Sequence, residues 1–198
     1  MNLEEDKRIE LESWLAPAFE TWREVKLCHA LFRRRKLRID LLAVPREDPY
    51  RQIALGFEVK GHTEWDEPIW AKALKQASDY VLATVEPDRP GLGPHVGKRI
   101  MAVFVWPAPS WVISPKSADI QGAFLSGMAQ MAGYLRVGRA TVSKSRRPSL
   151  ELTFGPNDVW GSASGWRPHA QNMLVGKRQI GSQRFNILEE LEAMEKSS

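Results

Sequence analysis

The order of hydrophobic periods along the first 106 residues constrains the fold of this chain most. Apolar residues recur at helical spacing from Leu3 to about Phe19, and extended segments then follow as far as Lys60. A second helical pattern begins at Pro68, and the apolar run from Ile100 to Trp106 is typical of a buried strand. The order helix, strand, strand, strand, helix, strand predicts a mixed α/β core.

The three extended segments before the second helix predict a hairpin and one further strand. Val25 to Leu27 and Leu37 to Leu41 are the two arms of the hairpin, and Gln52 to Lys60 is the third strand after a turn at Pro45 to Tyr50. Beyond Pro115 the patterns are weaker. They predict helices over 118–135 and 186–196 and strands over 150–154 and 173–179. We therefore expect a core over residues 1–115 with a C-terminal α/β extension over 116–198, packed together as one compact domain.

Composition indicates an ordinary soluble globular protein. The chain has 198 residues, of which 43% are hydrophobic and 26% are charged. Its longest apolar stretch is too short to cross a bilayer, and its acidic start does not resemble a secretory signal. The single cysteine, Cys28, cannot form an internal disulfide. These features predict a cytoplasmic protein without a membrane partner.

The positive charge is unevenly distributed along the chain. The net charge is only +4, but the segment 120–188 carries nine basic residues against two acids. A second basic run lies immediately before Asp40. Phosphate binding explains this distribution, although a solvated surface without a partner is the alternative. The candidate nucleic-acid-binding residues are Arg33, Arg34, Arg35, Lys36, Arg38, Lys144, Arg146 and Arg147.

Asp40, Glu58 and Lys60 form the candidate catalytic group. Side chains alternate along a strand, so Glu58 and Lys60 should share one face while Phe57 and Val59 face the opposite layer. Antiparallel pairing across a short turn would bring Asp40 beside Glu58. Two close carboxylates repel each other, and a hard divalent cation relieves that repulsion. The alternative is an exposed strand with a cross-strand ion pair.

At these residues the sequence resembles the PD-(D/E)XK nuclease superfamily, whose mark is an Asp followed on the neighbouring strand by Glu-x-Lys. Ile39 stands where the superfamily's name-giving proline would be. The resemblance implies a restriction-endonuclease-like core, with a central mixed β-sheet flanked by helices. It also implies Mg²⁺ or Mn²⁺ bound by Asp40 and Glu58, with Lys60 as the catalytic lysine.

The resemblance extends to a helix and to the N-terminal segment. Gln76 and Tyr80 look like the Gln-x-x-x-Tyr element of the RecB-like branch, and residues four apart share one helical face. A core-edge helix face is the alternative reading of this pair. In that branch a helical Glu before the strands is a further site ligand. Glu12 and Glu10 are the candidates, with Glu12 preferred as the third metal ligand.

These observations predict a metal-dependent deoxyribonuclease that acts in repair, recombination, restriction or a phage or mobile-element context. Two other functions remain open. The same fold could bind DNA or protein without cleavage, or the chain could be an assembly protein whose basic half packages nucleic acid. Pairing with a second copy through the acidic final helix is also left open, and so is the choice between endonuclease and exonuclease.

Overall fold

The computed structural model describes residues 3–31, 36–61, 67–87, 92–108, 120–143, 146–154, 157–167, 177–180 and 183–186. These residues form three α-helices, two short 3₁₀ turns and eleven strands. The helices are α1 (Leu3–Leu15), α2 (Glu67–Val81) and α3 (Ile120–Tyr134). The strands are β1 (Phe19–His29), β2 (Lys36–Pro45), β3 (Ala54–Val59), β4 (Ala83–Val85), β5 (Ile100–Trp106), β6 (Val137–Val142), β7 (Leu150–Phe154), β8 (Asn157–Gly161), β9 (Gly165–Trp166), β10 (Lys177–Ile180) and β11 (Gln183–Asn186).

Nine strands form one mixed sheet in the order β4-β1-β2-β3-β5-β6-β7-β8-β9. The pairs β1–β2 and β2–β3 are antiparallel, β3–β5 and β5–β6 are parallel, and β6 to β9 run antiparallel again. The two parallel connections pass through α2 and α3, as parallel pairing requires a long crossover. The mixed α/β core predicted from the sequence is therefore confirmed, and so is the antiparallel pairing of β2 with β3.

Each face of the sheet carries its own hydrophobic core. The α1-side core joins Leu11 and Leu15 of α1 to one face of the strands, which includes Phe57 and Phe104. The α2-side core joins α2 and α3 to the opposite face and contains Trp70. A chain with apolar residues on both sides of its central strands must cover both faces with helices or other layers to bury them.

The sheet curls so that its two ends meet over the α1-side core. Phe19 at the start of β1 packs edge-on against Trp160 of β8, with ring centroids 4.9 Å apart. Tyr50 stacks on Trp166 of β9 at 4.4 Å. Such aromatic pairs each contribute about 0.5–1.5 kcal/mol beyond their area burial. Four of the aromatic residues in this chain therefore help to close the sheet.

The structure differs from the sequence-based predictions mainly in short strands. Helix α1 ends at Leu15, earlier than predicted, because Pro17 cannot continue the helix, and β1 already begins at Phe19. Strands β4, β6, β8, β9 and β11 were not predicted. Most are only two to six residues long, so they carry too few alternations to form a periodic pattern. The predicted strand over 173–179 overlaps β10 only at its end, and residues 187–196 of the predicted final helix lie outside the described residues.

The main sheet contains strands from both sides of the predicted boundary between the core and the C-terminal extension. Strand β6 pairs with β5 from Val103↔Val137 to Val105↔Arg139, and β7 to β9 continue from there. The described part of the basic extension up to Trp166 is thus an extension of the same sheet. Strands β10 and β11 form a separate two-stranded hairpin. Across the described residues, no helix is both long and apolar enough to cross a membrane.

Gly138 and Gly127 provide a matched test of the packing between β5, β6 and β7. A Cβ on Gly138 would lie 2.4 Å from the Thr153 carbonyl oxygen and 2.7 Å from the Phe104 ring, whereas one on Gly127 in α3 meets nothing within 4 Å. We expect Gly138→Ala to lower the free energy of unfolding by about 2 kcal/mol or more through overpacking. Gly127→Ala should raise it by up to about 1 kcal/mol through helix propensity. Urea denaturation measures both, and an unchanged midpoint for Gly138→Ala would contradict the packing described here.

Candidate functional site

The candidate site lies at the carboxyl ends of the central strands β3, β5 and β6, near the start of β2. We call this the site edge. Strands β2 and β3 pair through Ala43↔Leu55, Leu42↔Gly56 and Leu41↔Phe57, and the ladder stops there. At the next residue the Val59 N–H donates a hydrogen bond to Asp40 Oδ2 at 2.7 Å. The Asp40 carboxylate therefore takes the place of a main-chain acceptor where the two strands separate.

The side-chain alternation of β2 changes phase at Asp40. Ile39 and Leu41 are two residues apart and would share a face in a regular strand, yet Ile39 lies in the α2-side core and Leu41 in the α1-side core. The partner strand is irregular at the same level, because Glu24 has a positive φ of 54°. Bulge-like irregularities of this kind redirect side chains and occur next to active sites. Here the irregularity allows Asp40 to turn toward β3.

Glu58 is almost completely buried, with 1% of its surface exposed. One carboxylate oxygen, Oε1, forms an ion pair with Lys60 Nζ. The other oxygen, Oε2, is buried and accepts no close hydrogen bond from the described residues, although the Tyr80 hydroxyl is near enough to stabilise the charged carboxylate. Phe57 and Val59 lie in the α1-side core, so the predicted sharing of one face by Glu58 and Lys60 is confirmed. A buried carboxylate oxygen without a hydrogen bond is a suitable ligand for a cation.

Gln76 and Tyr80 form a hydrogen-bonded line from Lys60 to β2. Lys60 Nζ donates to Gln76 Oε1 at 3.3 Å, and Gln76 Nε2 donates to the Tyr80 hydroxyl at 2.8 Å. The Tyr80 hydroxyl in turn donates to the Arg38 carbonyl oxygen at 3.0 Å. Helix α2 thus fixes the lysine on β3 relative to the strand that carries Asp40. The one-face placement predicted for Gln76 and Tyr80 is what makes this line continuous.

Burial dominates the electrostatics of the two acids. It raises the pKa of Asp40 to about 7, with a further rise from the charge of Glu58, while the hydrogen bond from Val59 opposes the shift. Burial also raises the pKa of Glu58 against the hydrogen bond from Lys60. The pKa of Tyr80 is raised first by burial and then by Glu58, so its hydroxyl stays protonated and remains a donor. Near neutral pH the Asp40 carboxyl is therefore partly protonated, and a bound cation would favour its ionised form.

The structure places an acid at the site that the sequence analysis did not select. The negative charge of Glu4 raises the pKa of both Asp40 and Glu58. A Cβ on Gly61, just after Lys60, would lie 3.1 Å from the Glu4 backbone nitrogen. The hydrogen bond from Trp106 Nε1 to the Lys7 carbonyl oxygen, 2.8 Å long, holds this end of α1 on β5. Glu4 is thus the acid of α1 whose charge acts on both strand acids.

The two acids proposed from the sequence are held by other partners. The Glu12 carboxylate forms an ion pair with Arg23, whose Nε lies 2.7 Å from Oε1. Glu10 pairs with Lys7 at 2.7 Å. Glu12 lies eight residues beyond Glu4, about 12 Å along the helix axis. The role of Glu12 as a metal ligand stays a prediction, and Glu4 becomes its competitor.

A signal for Glu4 exists in the sequence. Leu11 and Leu15 are the fully buried residues of α1. Glu4 lies 7 residues before Leu11 and 11 residues before Leu15. Both separations return to nearly the same face of a helix, so Glu4 shares the face of the two leucines. An acid on the buried stripe of an amphipathic helix has a structural or functional reason to be there.

The donor set at the site fits a hard divalent cation. Asp40 and Glu58 offer carboxylate oxygens from neighbouring strands, and Mg²⁺ is commonly held by one or two carboxylates with water and phosphate completing its shell. Within the described ranges, no group of three or more His, Cys, Asp and Glu side chains is arranged to hold a metal ion. Among the described residues, the candidate ligands at the site are the two strand acids, with Glu4 nearby.

The predicted nucleic-acid-binding residues that are described lie on connections at the site edge. Lys36 and Arg38 are exposed on the first residues of β2, and Arg146 and Arg147 are exposed between β6 and β7. Both connections lie at the site edge because β2 begins there and β6 ends there. Four further predicted residues, Arg33, Arg34, Arg35 and Lys144, lie outside the described residues.

We expect Asp40→Asn to stabilise the metal-free protein above neutral pH. The folded-state pKa of Asp40, about 7, is above its ordinary value of 3.8. Between these two pH values the folded state binds more protons than the unfolded state, so the folded state loses stability as the pH rises. Asn keeps an oxygen for Val59 but cannot ionise. Its melting temperature at pH 8 should exceed that of the wild type by a few degrees, equivalent to about 1–2 kcal/mol.

The measurement is thermal unfolding in EDTA from pH 5 to pH 8. Glu47→Gln is the control, because Glu47 is an exposed acid in the turn after β2. Its pH profile should parallel that of the wild type. If the Asp40→Asn profile also does so, the Asp40 carboxyl is not held in its protonated form.

Glu4→Gln and Glu12→Gln decide which helical acid serves the site. We expect Glu4→Gln to weaken Mn²⁺ binding about tenfold, because it removes a negative charge beside the two strand acids. Glu12→Gln should leave Mn²⁺ affinity unchanged and lower stability by at most about 1 kcal/mol, since it loses a partly exposed ion pair. Isothermal titration with Mn²⁺ measures the affinity. The opposite ranking would restore Glu12 as the third ligand.

No family model, no curated protein and no solved structure matches this chain.

Proposed function

We propose that this chain is a metal-dependent nuclease of the PD-(D/E)XK type that hydrolyses phosphodiester bonds in DNA. The observation that carries the proposal is the environment of the buried Glu58 carboxylate. Lys60 binds one of its oxygens, the other accepts no close hydrogen bond from the described residues, and the Asp40 carboxylate lies on the neighbouring strand. When both acids ionise, the single lysine leaves excess negative charge in a buried place. A divalent cation with oxygen ligands balances that charge.

Mg²⁺ or Mn²⁺ is the cofactor that this donor set would hold, through Asp40, Glu58 and one acid of α1. When bound, such an ion would supply Lewis-acid chemistry, making a water more acidic and stabilising negative charge on the phosphoryl oxygens. Asp40 is oriented for this role by the Val59 N–H, and Glu58 by Lys60. Both ligands are therefore fixed before any substrate arrives, which is the preorganisation that catalysis by charge stabilisation needs.

The remaining polar residues act on position and charge. In the hydrolysis, a water oxygen attacks phosphorus and the bond to the leaving oxygen breaks, with negative charge accumulating on the phosphate. Lys60 supplies positive charge against that accumulation. Gln76 accepts a hydrogen bond from Lys60 Nζ. The Tyr80 hydroxyl accepts a hydrogen bond from Gln76 and donates one to the main chain of β2. Gln76 and Tyr80 are thus positioning residues in this proposal.

The substrate part of the proposal depends on charge. Described basic residues at the start of β2 (Lys36 and Arg38) and between β6 and β7 (Arg146 and Arg147) lie on the two sides of β3 and β5, which suits a polyanion crossing the site edge. A mixed sheet flanked by helices is the core that the PD-(D/E)XK resemblance implies. Within the proposal, the protein works in the cytoplasm in DNA repair, recombination, restriction or a mobile-element life cycle. Pairing with a second copy through the acidic final segment stays part of the hypothesis.

Cleavage of DNA tests the proposal directly. We expect wild-type protein to cleave linear, circular, single-stranded or branched DNA with Mg²⁺ or Mn²⁺ and to lose this activity in EDTA. Asp40→Asn, Glu58→Gln and Lys60→Ala should each reduce the rate at least about 100-fold, because each removes a group that acts on charge in the transition state. Gel electrophoresis of labelled DNA measures the products.

Lys75→Ala is the matched control, since it removes an exposed lysine of α2 one residue before Gln76. It should cleave at the wild-type rate, and unchanged melting temperatures would exclude loss of folding in any variant. A wild-type protein that binds DNA tightly but cleaves none of the four substrates would instead make the chain a binding module. Cleavage that survives Lys60→Ala and EDTA would reject the proposed chemistry.

A further inference from the structure

The outer half of the β1–β2 hairpin, beyond Glu24 and Asp40, has one buried face and one basic face. Val25, Leu27 and Ile39 are buried in the α2-side core. The alternate residues on the same stretch face the other way, and most of them are exposed. Three of these are cations: Lys26, Lys36 and Arg38. We call this set the basic ladder.

The phase change at Asp40 puts the basic ladder on the α1 side of the sheet. Leu42 lies in the α2-side core, so in a regular strand the residues at 40, 38 and 36 would point into that core as well. The irregularity at Glu24 and Asp40 reverses the outer half of the hairpin instead. The ion pairs agree with this placement, because Glu24 binds Arg8 of α1 at 2.5 Å and Arg38 at 2.8 Å. The same irregularity therefore turns Asp40 toward β3 and turns the cations away from the α2-side core.

The register brings the cations of the basic ladder together. Lys26 is the direct cross-strand partner of Arg38, and Lys36 pairs with Cys28 one step further out. Directly opposite side chains on an antiparallel pair have Cβ atoms about 5 Å apart, so one phosphate could contact both cations. Arg38 is also only two residues from Asp40, so this phosphate would lie near Asp40 on the α1 side. Glu58 and Lys60 face the α2 side at the same end of the strands.

We propose that the basic ladder is a phosphate-binding track that holds the backbone of a polynucleotide strand on the α1 side of the sheet, beside Asp40. The identification of the polyanion rests on the proposed function. Arg38 has 66% of its side chain exposed while it is bound to Glu24. A phosphate can therefore reach its guanidinium from solvent and compete with Glu24. The track requires Lys26, which no sequence motif singles out because it lies in the other strand of the hairpin.

Salt-dependent DNA binding tests the track. The probe is a fluorescently labelled 30-nucleotide DNA, used as a single strand and as a duplex, bound to Asp40→Asn protein in EDTA so that no cleavage occurs. We expect Lys26→Ala with Lys36→Ala to weaken binding about tenfold or more near 0.1 M salt. The slope of log K against log[salt] should become shallower by about 1.8 on the duplex or about 1.4 on the single strand.

The matched control is Lys72→Ala with Lys75→Ala in the same background. These two lysines are exposed on α2, on the opposite face of the sheet, and their removal changes the net charge by the same amount. We expect their affinity and salt slope to match those of the parent. Glu24→Gln should bind DNA more tightly than the parent, because Arg38 then has no carboxylate competitor. Melting temperatures show that each variant is folded.

The outcomes separate this inference from the proposed function. The track is wrong if Lys26→Ala with Lys36→Ala, the ladder variant, loses no more affinity than the control with Lys72→Ala and Lys75→Ala. This holds even when the wild type cleaves DNA. Weaker binding by Glu24→Gln would overturn the competition for Arg38. If the ladder variant alone loses affinity while the wild type cleaves nothing, the track stands and the nuclease proposal fails.

Discussion

The structure of the candidate site depends on one hydrogen bond, from the Val59 N–H to Asp40 Oδ2. A buried N–H at the end of a ladder needs an acceptor, and a side chain that supplies it allows the two strands to separate without leaving that donor unpaired. The separation opens the edge of the sheet between β2 and β3. It also fixes the Asp40 carboxylate beside the strand that carries Glu58 and Lys60, so a structural requirement and a chemical one are met by the same atom.

The site stores negative charge in a buried place, and the rest of the fold compensates for this in steps. Lys60 neutralises part of the charge of Glu58, and α2 holds that lysine through Gln76 and Tyr80. Helix α1 adds a further acid, Glu4, which makes the balance less favourable without a cation. Buried charge of one sign lowers the stability of the metal-free protein, and a group that binds the folded state alone restores it. Stability and cofactor binding are therefore coupled in the proposed enzyme.

The bulge-like irregularity at Glu24 connects the site to its surroundings. It turns Asp40 toward β3, reverses the outer hairpin so that its cations face solvent on the α1 side, and places the Glu24 carboxylate between Arg8 and Arg38. A non-glycine residue with positive φ is maintained only where the surrounding structure requires it. Ion pairs to α1 and β2 provide part of that requirement here. In the proposed enzyme, the orientation of Asp40 and the binding of the substrate by the basic ladder would then depend on one local feature of the backbone.

The sequence by itself determined the elements that long periodic patterns encode. It predicted the α/β order, the antiparallel β2–β3 pair and the shared face of Glu58 and Lys60, because alternation and helical period are local properties. Only the tertiary structure decided the rest. The phase change at Asp40 depends on Glu24 in another strand, and the choice of Glu4 near the site, with Glu12 bound to Arg23, depends on how α1 lies on β5. Contacts between distant segments leave no periodic signal, so the phase change could not be predicted from the order of residues alone. The helical period marks Glu4 as an acid on the buried stripe of α1, but it does not show which strands that stripe contacts.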